Sequence, residues 1–426
     1  MQRPDAQERG APQESEVHPP TSSPPLAWRA LQAELRHARL PLAAVDLDAF
    51  DRNAARVVSA VRGTRCRVRI ASKSLRHRGL LRRALTCGGD TFSGVLCYAA
   101  DEAAWLSEGG FDDLLVAYPT VQARALDAVA KAVARGATVR CVVDSPDHVA
   151  ALSEAGARHG VVLEAVLDLD VAFRPLGPLL HVGVRRSPLR TAAQVSALVR
   201  ASRAWSGVRI VGLMAYEAHV AGVEDRPRGA SAMQVAMVRA MKRAAIPAVA
   251  AMRAAALAAL EAEGIEVALV NGGGTGSLGS TLHDPSVTEI SVGSAFLCPH
   301  LFDGHDGPAF EPAAFFALEV TRKPDARHVT CAGGGYVASG APGPDRLPLP
   351  WWPEGLSWVP LEGAGEVQSP LRVARGRRPP DVGDAVLFRH AKAGELAERF
   401  DAYAELSAGA PPVLSPTYRG EQKCFL

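Results

Sequence analysis

The feature that most restricts how this chain can fold is an alternation. Eight short apolar runs lie near residues 67–72, 91–97, 112–117, 137–143, 161–169, 208–215, 265–271 and 287–292. Between most of them lies an Ala/Leu/Arg-rich stretch of helical length, such as 101–109, 121–136 and 147–160. Strands that read as near-continuous apolar runs are buried on both faces, and strands separated by helices pair in parallel. Eight such units joined by right-handed crossovers predict an α/β architecture, a (β/α)8 barrel of the TIM type. An open doubly wound sheet is the competing arrangement. It is disfavoured because no GxGxxG turn follows the N-terminal strand.

The pattern changes after residue 305. Short β-like runs at 316–321, 328–331, 356–359, 385–389 and 413–418 are separated by Gly and Pro, which predicts a C-terminal β domain over 306–426. The barrel is assigned 26–305. Another strand, 42–47, precedes the eight and is free to pair with the β domain, and Asp48 is the expected N-cap of a helix over 49–61. Residues 27–38 have the spacing of an amphipathic helix, whereas 1–25, rich in Pro, Ser, Gln and Glu, read as a disordered tail. The longest helical stretch, 231–264, is expected to hold two helices broken near Pro247.

Charge and cysteine usage narrow the function classes. With 47 basic and 45 acidic residues the net charge is +2, so no nucleic-acid-binding surface is expected. No apolar run is read as reaching membrane-spanning length, and no membrane partner is expected. Seven scattered cysteines without a CxxC pair point to a reducing, cytoplasmic setting.

Candidate chemistry sits at the carboxyl ends of the strands, where barrels bind ligands. The run Arg67-Val68-Arg69-Ile70-Ala71-Ser72-Lys73 delivers a lysine to the end of the first barrel strand. Held among Arg69, Arg76 and His77, Lys73 is a candidate amine nucleophile toward a carbonyl; the plain alternative is a surface lysine. Asn271-Gly272-Gly273-Gly274-Thr275-Gly276-Ser277 follows the seventh strand, and Gly293-Ser294 ends the eighth. Small residues let a backbone approach a ligand closely, and free N–H groups with hydroxyls suit a phosphate. Tyr216, Glu217 and His219 follow the sixth strand and can handle protons, or simply pack. Asp168, Asp170, Arg174, His181, Arg185 and Arg186 supply acids and cations after the fifth. In the β domain, His390 with an acid or thiolate two positions on would make a divalent-metal site, but Lys392 stands there, and an ammonium opposes a cation.

This order of features resembles the fold-type III pyridoxal-phosphate enzymes, the alanine racemase-like barrels, and in particular the D-threonine aldolase and D-serine dehydratase branch. The resemblance implies a Schiff base between Lys73 and pyridoxal 5′-phosphate. It implies a phosphate held by Gly273, Gly274, Thr275, Gly293 and Ser294, with Asn271 nearby. Tyr216 would lie along the ring, with Arg174 or Arg186 at the pyridine nitrogen, and Lys73, Tyr216 and His219 would be the catalytic residues. A homodimer is implied, acting on D-configured β-hydroxy amino acids by retro-aldol cleavage or loss of water. The branch also uses a metal bound by a histidine and a Cys or Asp two residues later; His390 matches and Lys392 does not. Two alternatives stay open. An amino-acid racemase would need a second acid/base group, for which Tyr336, Tyr403 and Tyr418 are available. A non-catalytic pyridoxal-phosphate-binding protein fits less well with the long segment after the barrel.

Overall fold

The computed structural model describes Leu35 and residues 38–426, so the tail and nearly all of the expected 27–38 helix lie outside the described residues. The first strand, Leu42–Asp46 (β1), stands apart from the eight that follow. Those are Arg67–Ala71 (β2), Phe92–Cys97 (β3), Leu114–Val116 (β4), Val139–Val143 (β5), Leu163–Asp168 (β6), Val208–Ala215 (β7), Leu269–Gly272 (β8) and Glu289–Val292 (β9). They close into a parallel barrel in sequence order, with β9 returning to pair with β2. The predicted α/β barrel is therefore present.

Alternation along each strand sorts its side chains between two environments. Leu115, Val142, Val166, Met214 and Leu269 form one buried cluster. Their neighbours Leu114, Val116, Cys141, Val143, Ala165 and Leu213 join the larger core that includes the helices. Polar groups mark the closing seam. Arg69 on β2 grips Glu289 on β9 with two hydrogen bonds of 2.7 Å, and Asn271 on β8 donates to Glu289 at 2.6 Å and to Ser291 at 2.9 Å. Such a pair adds little net stability over an apolar seam, but removing one partner typically costs about 3–5 kcal/mol. It specifies which strands meet.

Three local expectations need correction. The N-cap of helix Leu47–Val61 is Asp46, which accepts from the Ala49 N–H at 2.9 Å. Asp48 instead accepts from the Ala408 N–H at 2.7 Å and the Ser407 hydroxyl at 3.1 Å, tying the helix start to the β domain. The segment after Ser231 is one helix, Ala232–Ala262, running through Pro247. Packing of Ala245, Val249, Ala256 and Leu260 against the core outweighs the hydrogen bond lost at the proline. By length and composition this helix also passes for a membrane-crossing one, contrary to the sequence reading. Its Arg253, however, is buried against Glu217 at the end of the neighbouring β7, so the helix belongs to the barrel wall.

The β domain is a second sheet. It contains Ala314–Asp325 (β10), His328–Ala332 (β11), Leu349–Trp352 (β12), Leu356–Trp358 (β13), Gln368–Val373 (β14), Ala385–Arg389 (β15), Ala402–Leu406 (β16) and Val413–Pro416 (β17). The strand order is β13-β14-β11-β10-β1-β16-β17, with β15 pairing both β10 and β12. Here β1 lies antiparallel to β10 and parallel to β16. All seven cysteines are free.

Candidate active site at the barrel mouth

The turn that carries Lys73 is clamped from both domains. Ser72–Ser74 forms a single 3-10 turn after β2, and the Ser72 hydroxyl donates to the Leu96 carbonyl at 3.0 Å. From the β domain, Glu398 pairs with Arg76 at 2.5 Å and the Tyr418 N–H donates to the Arg76 carbonyl at 2.8 Å. Gly394, at φ +77°, packs so closely that an added Cβ would lie 1.9 Å from the Lys73 carbonyl oxygen. The cations adjacent in sequence are not the neighbours of Lys73 in space. Arg69 is spent on Glu289 and Asp113, Arg76 on Glu398, and His77 caps helix Arg78–Gly88.

Lys73 instead reaches Tyr118, which follows β4: Nζ donates to the phenol oxygen at 3.0 Å. Burial alone would raise the Tyr118 phenol, but the Lys73 and Arg186 charges outweigh it and hold it below its ordinary value. Arg186 stands over both the Tyr118 and Tyr216 rings, 5.7 and 5.8 Å from their centroids. Arg174 is committed elsewhere, donating to His181 Nδ1 at 3.0 Å and to Asp170 at 3.3 Å. Asp168, at the end of β6, is pushed up to about 7 by burial and by Asp144, although Arg186 opposes this. Burial, with Glu217 adding to it, pushes the Tyr216 phenol up to about 12.

Opposite Tyr216 the glycine turns form a cup. Gly273 adopts φ +64°, and a Cβ there would lie 2.8 Å from both Ile290 Cδ1 and Thr281 Oγ1. A Cβ on Gly274 would sit 3.3 Å from the Tyr216 ring. The Thr275 hydroxyl accepts from the Ala295 N–H at 3.1 Å, joining this turn to the one after β9. Beneath the cup lies buried Glu217. It takes hydrogen bonds from the Gly273 N–H at 3.0 Å and Ser277 at 3.1 Å, with Thr281 and Arg253 as further donors. Arg253 also holds Asp284 at 3.0 Å. Buried His219, its pKa lowered by burial, has no partner for Nε2 among the described residues. The Asn271 amide is taken up by Glu289 and Ser291 in the barrel interior.

Barrel closure joins the two halves of this site. Because β9 pairs with β2, Gly293 comes against Ser74, the residue after Lys73; a Cβ on Gly293 would be 2.5 Å from the Ser74 hydroxyl. The N–H groups of Gly293 and Ser294 carry no hydrogen bond among the described residues. A glycine-walled cup with free N–H groups and hydroxyls, next to an amine, fits a phosphate ester bearing an aldehyde. No sequence motif marks Tyr118. Its only signal is its place at the end of the apolar run 112–117.

The β-domain turn is built differently. His390 Nδ1 donates to the Ala314 carbonyl at 3.1 Å, and Nε2 has no partner among the described residues. Lys392 Nζ donates to the Ser339 carbonyl at 2.7 Å and hydroxyl at 2.9 Å, with Glu395 at 3.9 Å.

A pyridoxal-phosphate barrel is the class that this fold and cup define. The sequence profile of the alanine racemase N-terminal domain matches residues 45–296, and the chain belongs to that family. Within it the chain resembles the D-threonine aldolase branch. It is 28% identical over 257 residues to a 3-hydroxy-D-aspartate aldolase of Paracoccus denitrificans, a match covering 60% of this chain and 59% of that protein. It is 26% identical over 294 residues to a D-threonine aldolase of an Arthrobacter species, covering 68% and 69%. The chain thus spans about three-fifths of the first of these relatives and two-thirds of the second. Among solved structures, D-threonine aldolase from Filomicrobium marinum superposes with a TM-score of 0.76 at 22% identity, covering 91% of this chain and 96% of that one. D-threo-3-hydroxyaspartate dehydratase from Delftia sp. HT23 gives 0.68 at 20%, covering 90% and 98%.

Proposed function

We propose that the chain is a pyridoxal-phosphate-dependent lyase for D-configured β-hydroxy amino acids. The observation that carries this reading is the meeting of Lys73 with the glycine cup across the barrel seam, where Gly293 touches Ser74. Lys73 would hold the cofactor through its aldehyde. Gly273, Gly274, Thr275, Gly293 and Ser294 would hold the phosphate, and Tyr216 would lie beside the ring. When bound, the cofactor supplies an electron sink for charge developing at the substrate α-carbon.

The chain's own groups do the rest. Tyr118 accepts a hydrogen bond from Lys73 Nζ and so fixes where that nitrogen points. Arg186 is assigned to the pyridine nitrogen in preference to Arg174, which is spent on Asp170 and His181. A guanidinium keeps its proton, so it donates a hydrogen bond there without transferring charge. The Glu217–Arg253 network keeps the Gly273 N–H in place. His219, buried with Nε2 unpartnered among the described residues, is the further proton-handling candidate beside Tyr216. The names of the relatives, aldolases and a dehydratase of D-hydroxy amino acids, favour the same substrate class.

The racemase reading has less support, and of its three candidate tyrosines two are fully buried and one is half-buried. Tyr403 and Tyr418 are 0% and 1% exposed, too deep to reach a second chain's substrate. Tyr336 is wedged between Phe316 and Phe400, at centroid distances of 4.9 and 5.4 Å. A homodimer, which the family resemblance implies, is checked by light scattering of the holoprotein.

The test is product analysis. The holoprotein is incubated with D- and L-threonine, D-serine and D-3-hydroxyaspartate. Glycine plus an aldehyde, or a keto acid plus ammonia, formed from the D-enantiomers only is the expected result. Recovery of the mirror-image amino acid alone would replace the lyase with a racemase.

A further inference from the structure

The turn after β15 is where a divalent cation would belong by family resemblance, and its donor set does not fit one. His390 offers a single nitrogen, because Nδ1 is spent on the Ala314 carbonyl. The residue before it, Arg389, is turned away onto Asp303 with two hydrogen bonds of 2.7 Å and adds no donor for a cation. No group of three His, Cys, Asp or Glu able to hold a metal occurs among the described residues. Divalent ions are held by several thiolate, carboxylate or imidazole donors, and one imidazole with an ammonium two residues on provides neither the number nor the charge.

We propose that this chain replaces the metal with a fixed ammonium: Lys392, oriented by Ser339 and Glu395 beside the Lys73 turn, presents the positive charge to the substrate's β-oxygen, and no divalent cation takes part. The inference rests on the lyase reading above.

The geometry supports each part. Glu395 holds Ser339 by accepting from its N–H at 3.0 Å and from its hydroxyl. Ser339 in turn accepts two hydrogen bonds from Lys392 through its carbonyl and hydroxyl oxygens. An ammonium has three donors, so one N–H remains for a ligand oxygen. The turn is in backbone contact with the Lys73 turn through Gly394, whose Cβ, if present, would overlap the Lys73 carbonyl. An ammonium is a hydrated point charge that can stabilise an oxygen carrying partial negative charge without ligand exchange.

The test uses wild-type holoprotein and Lys392→Asp, each incubated with Mn²⁺ or Zn²⁺, gel-filtered and analysed for bound metal by mass spectrometry. Wild type is expected to retain no stoichiometric metal and to keep its rate in EDTA. Lys392→Asp, which places a carboxylate two residues after His390, is expected to gain about one ion per chain. That ion should be lost again in His390→Ala/Lys392→Asp. Lys392→Met should lower kcat by about 10²-fold with little change in KM, and Lys392→Arg should recover part of the loss. A wild type that binds one ion through His390, or is inactivated by EDTA and restored by Mn²⁺, overturns the proposal. So does a Lys392→Met variant that turns over at the wild-type rate. If no D-hydroxy amino acid is consumed at all, the lyase reading fails instead, while the metal analysis still decides whether this turn binds an ion.

Discussion

The glycine cup and the 390–395 turn both border Lys73, and they are built by opposite means. The cup works through backbone: Gly273, Gly274 and Gly293 clear the space, the Gly273 and Gly274 N–H groups are tied down by Glu217 and Ser277, and the N–H groups of Gly293 and Ser294 are left to donate. The β-domain turn works through side chains. Lys392 and Glu395 there are about one-third exposed. A backbone site needs a particular run of small residues and a fixed fold beneath it. A side-chain site can change its chemistry by one substitution while its scaffold stays. That contrast explains why one half of the site reads as a phosphate cup while the other, on the same scaffold, departs from a metal site.

The largest effect should come from Lys73→Ala, which lowers turnover of D-threonine or D-3-hydroxyaspartate by at least about 10³-fold. Next, Arg253→Met leaves Glu217 and Asp284 without their buried cation. It should destabilise the fold by about 3–5 kcal/mol in urea unfolding, whereas Lys392→Met should stay within about 0.5 kcal/mol of wild type. Equal losses from the two variants would erase the contrast between a buried network and an exposed one.

A third comparison uses glycines. Gly394→Ala introduces a Cβ at φ +77° against the Lys73 carbonyl and should cost about 1–3 kcal/mol; Gly279→Ala, with open space around it, is the neutral control. Tyr118→Phe, which removes the hydrogen bond to Lys73, should lower kcat/KM about tenfold without shifting the urea midpoint.

A different kind of contrast is a pH slope. Asp168 has a folded pKa raised by burial from 3.8 to about 7, so the folded state binds its proton more tightly than the unfolded chain does. Its contribution to stability is present below about pH 4 and is lost as pH rises toward about 7. Asp168→Asn should flatten that part of the stability profile; an unchanged slope would place the titration elsewhere.

Much of this was legible in the residues. Buried parallel strands leave apolar runs, so all eight barrel strands fall near their predicted places. Three β-domain strands carry no such signature. Leu349–Trp352 and Gln368–Val373 contain Pro350 and Pro370, and Ala402–Leu406 has alanines and a glutamate that suit a helix equally well. The break expected at Pro247 failed because tertiary packing holds the helix together. Asp46 and Asp48 are equivalent as caps by residue type, and only the position of the Ala49 N–H separates them. Tyr118 and the choice between Arg174 and Arg186 depend on which strand ends meet at the barrel mouth, and no local spacing encodes that.

The most direct measurement is borohydride reduction of the pyridoxal-phosphate-loaded protein, followed by peptide mass spectrometry. The pyridoxyl mass is predicted on the peptide that contains Lys73, and not on the one that contains Lys392. A label on Lys392, or spread over surface lysines with Lys73 unmodified, would contradict the site described.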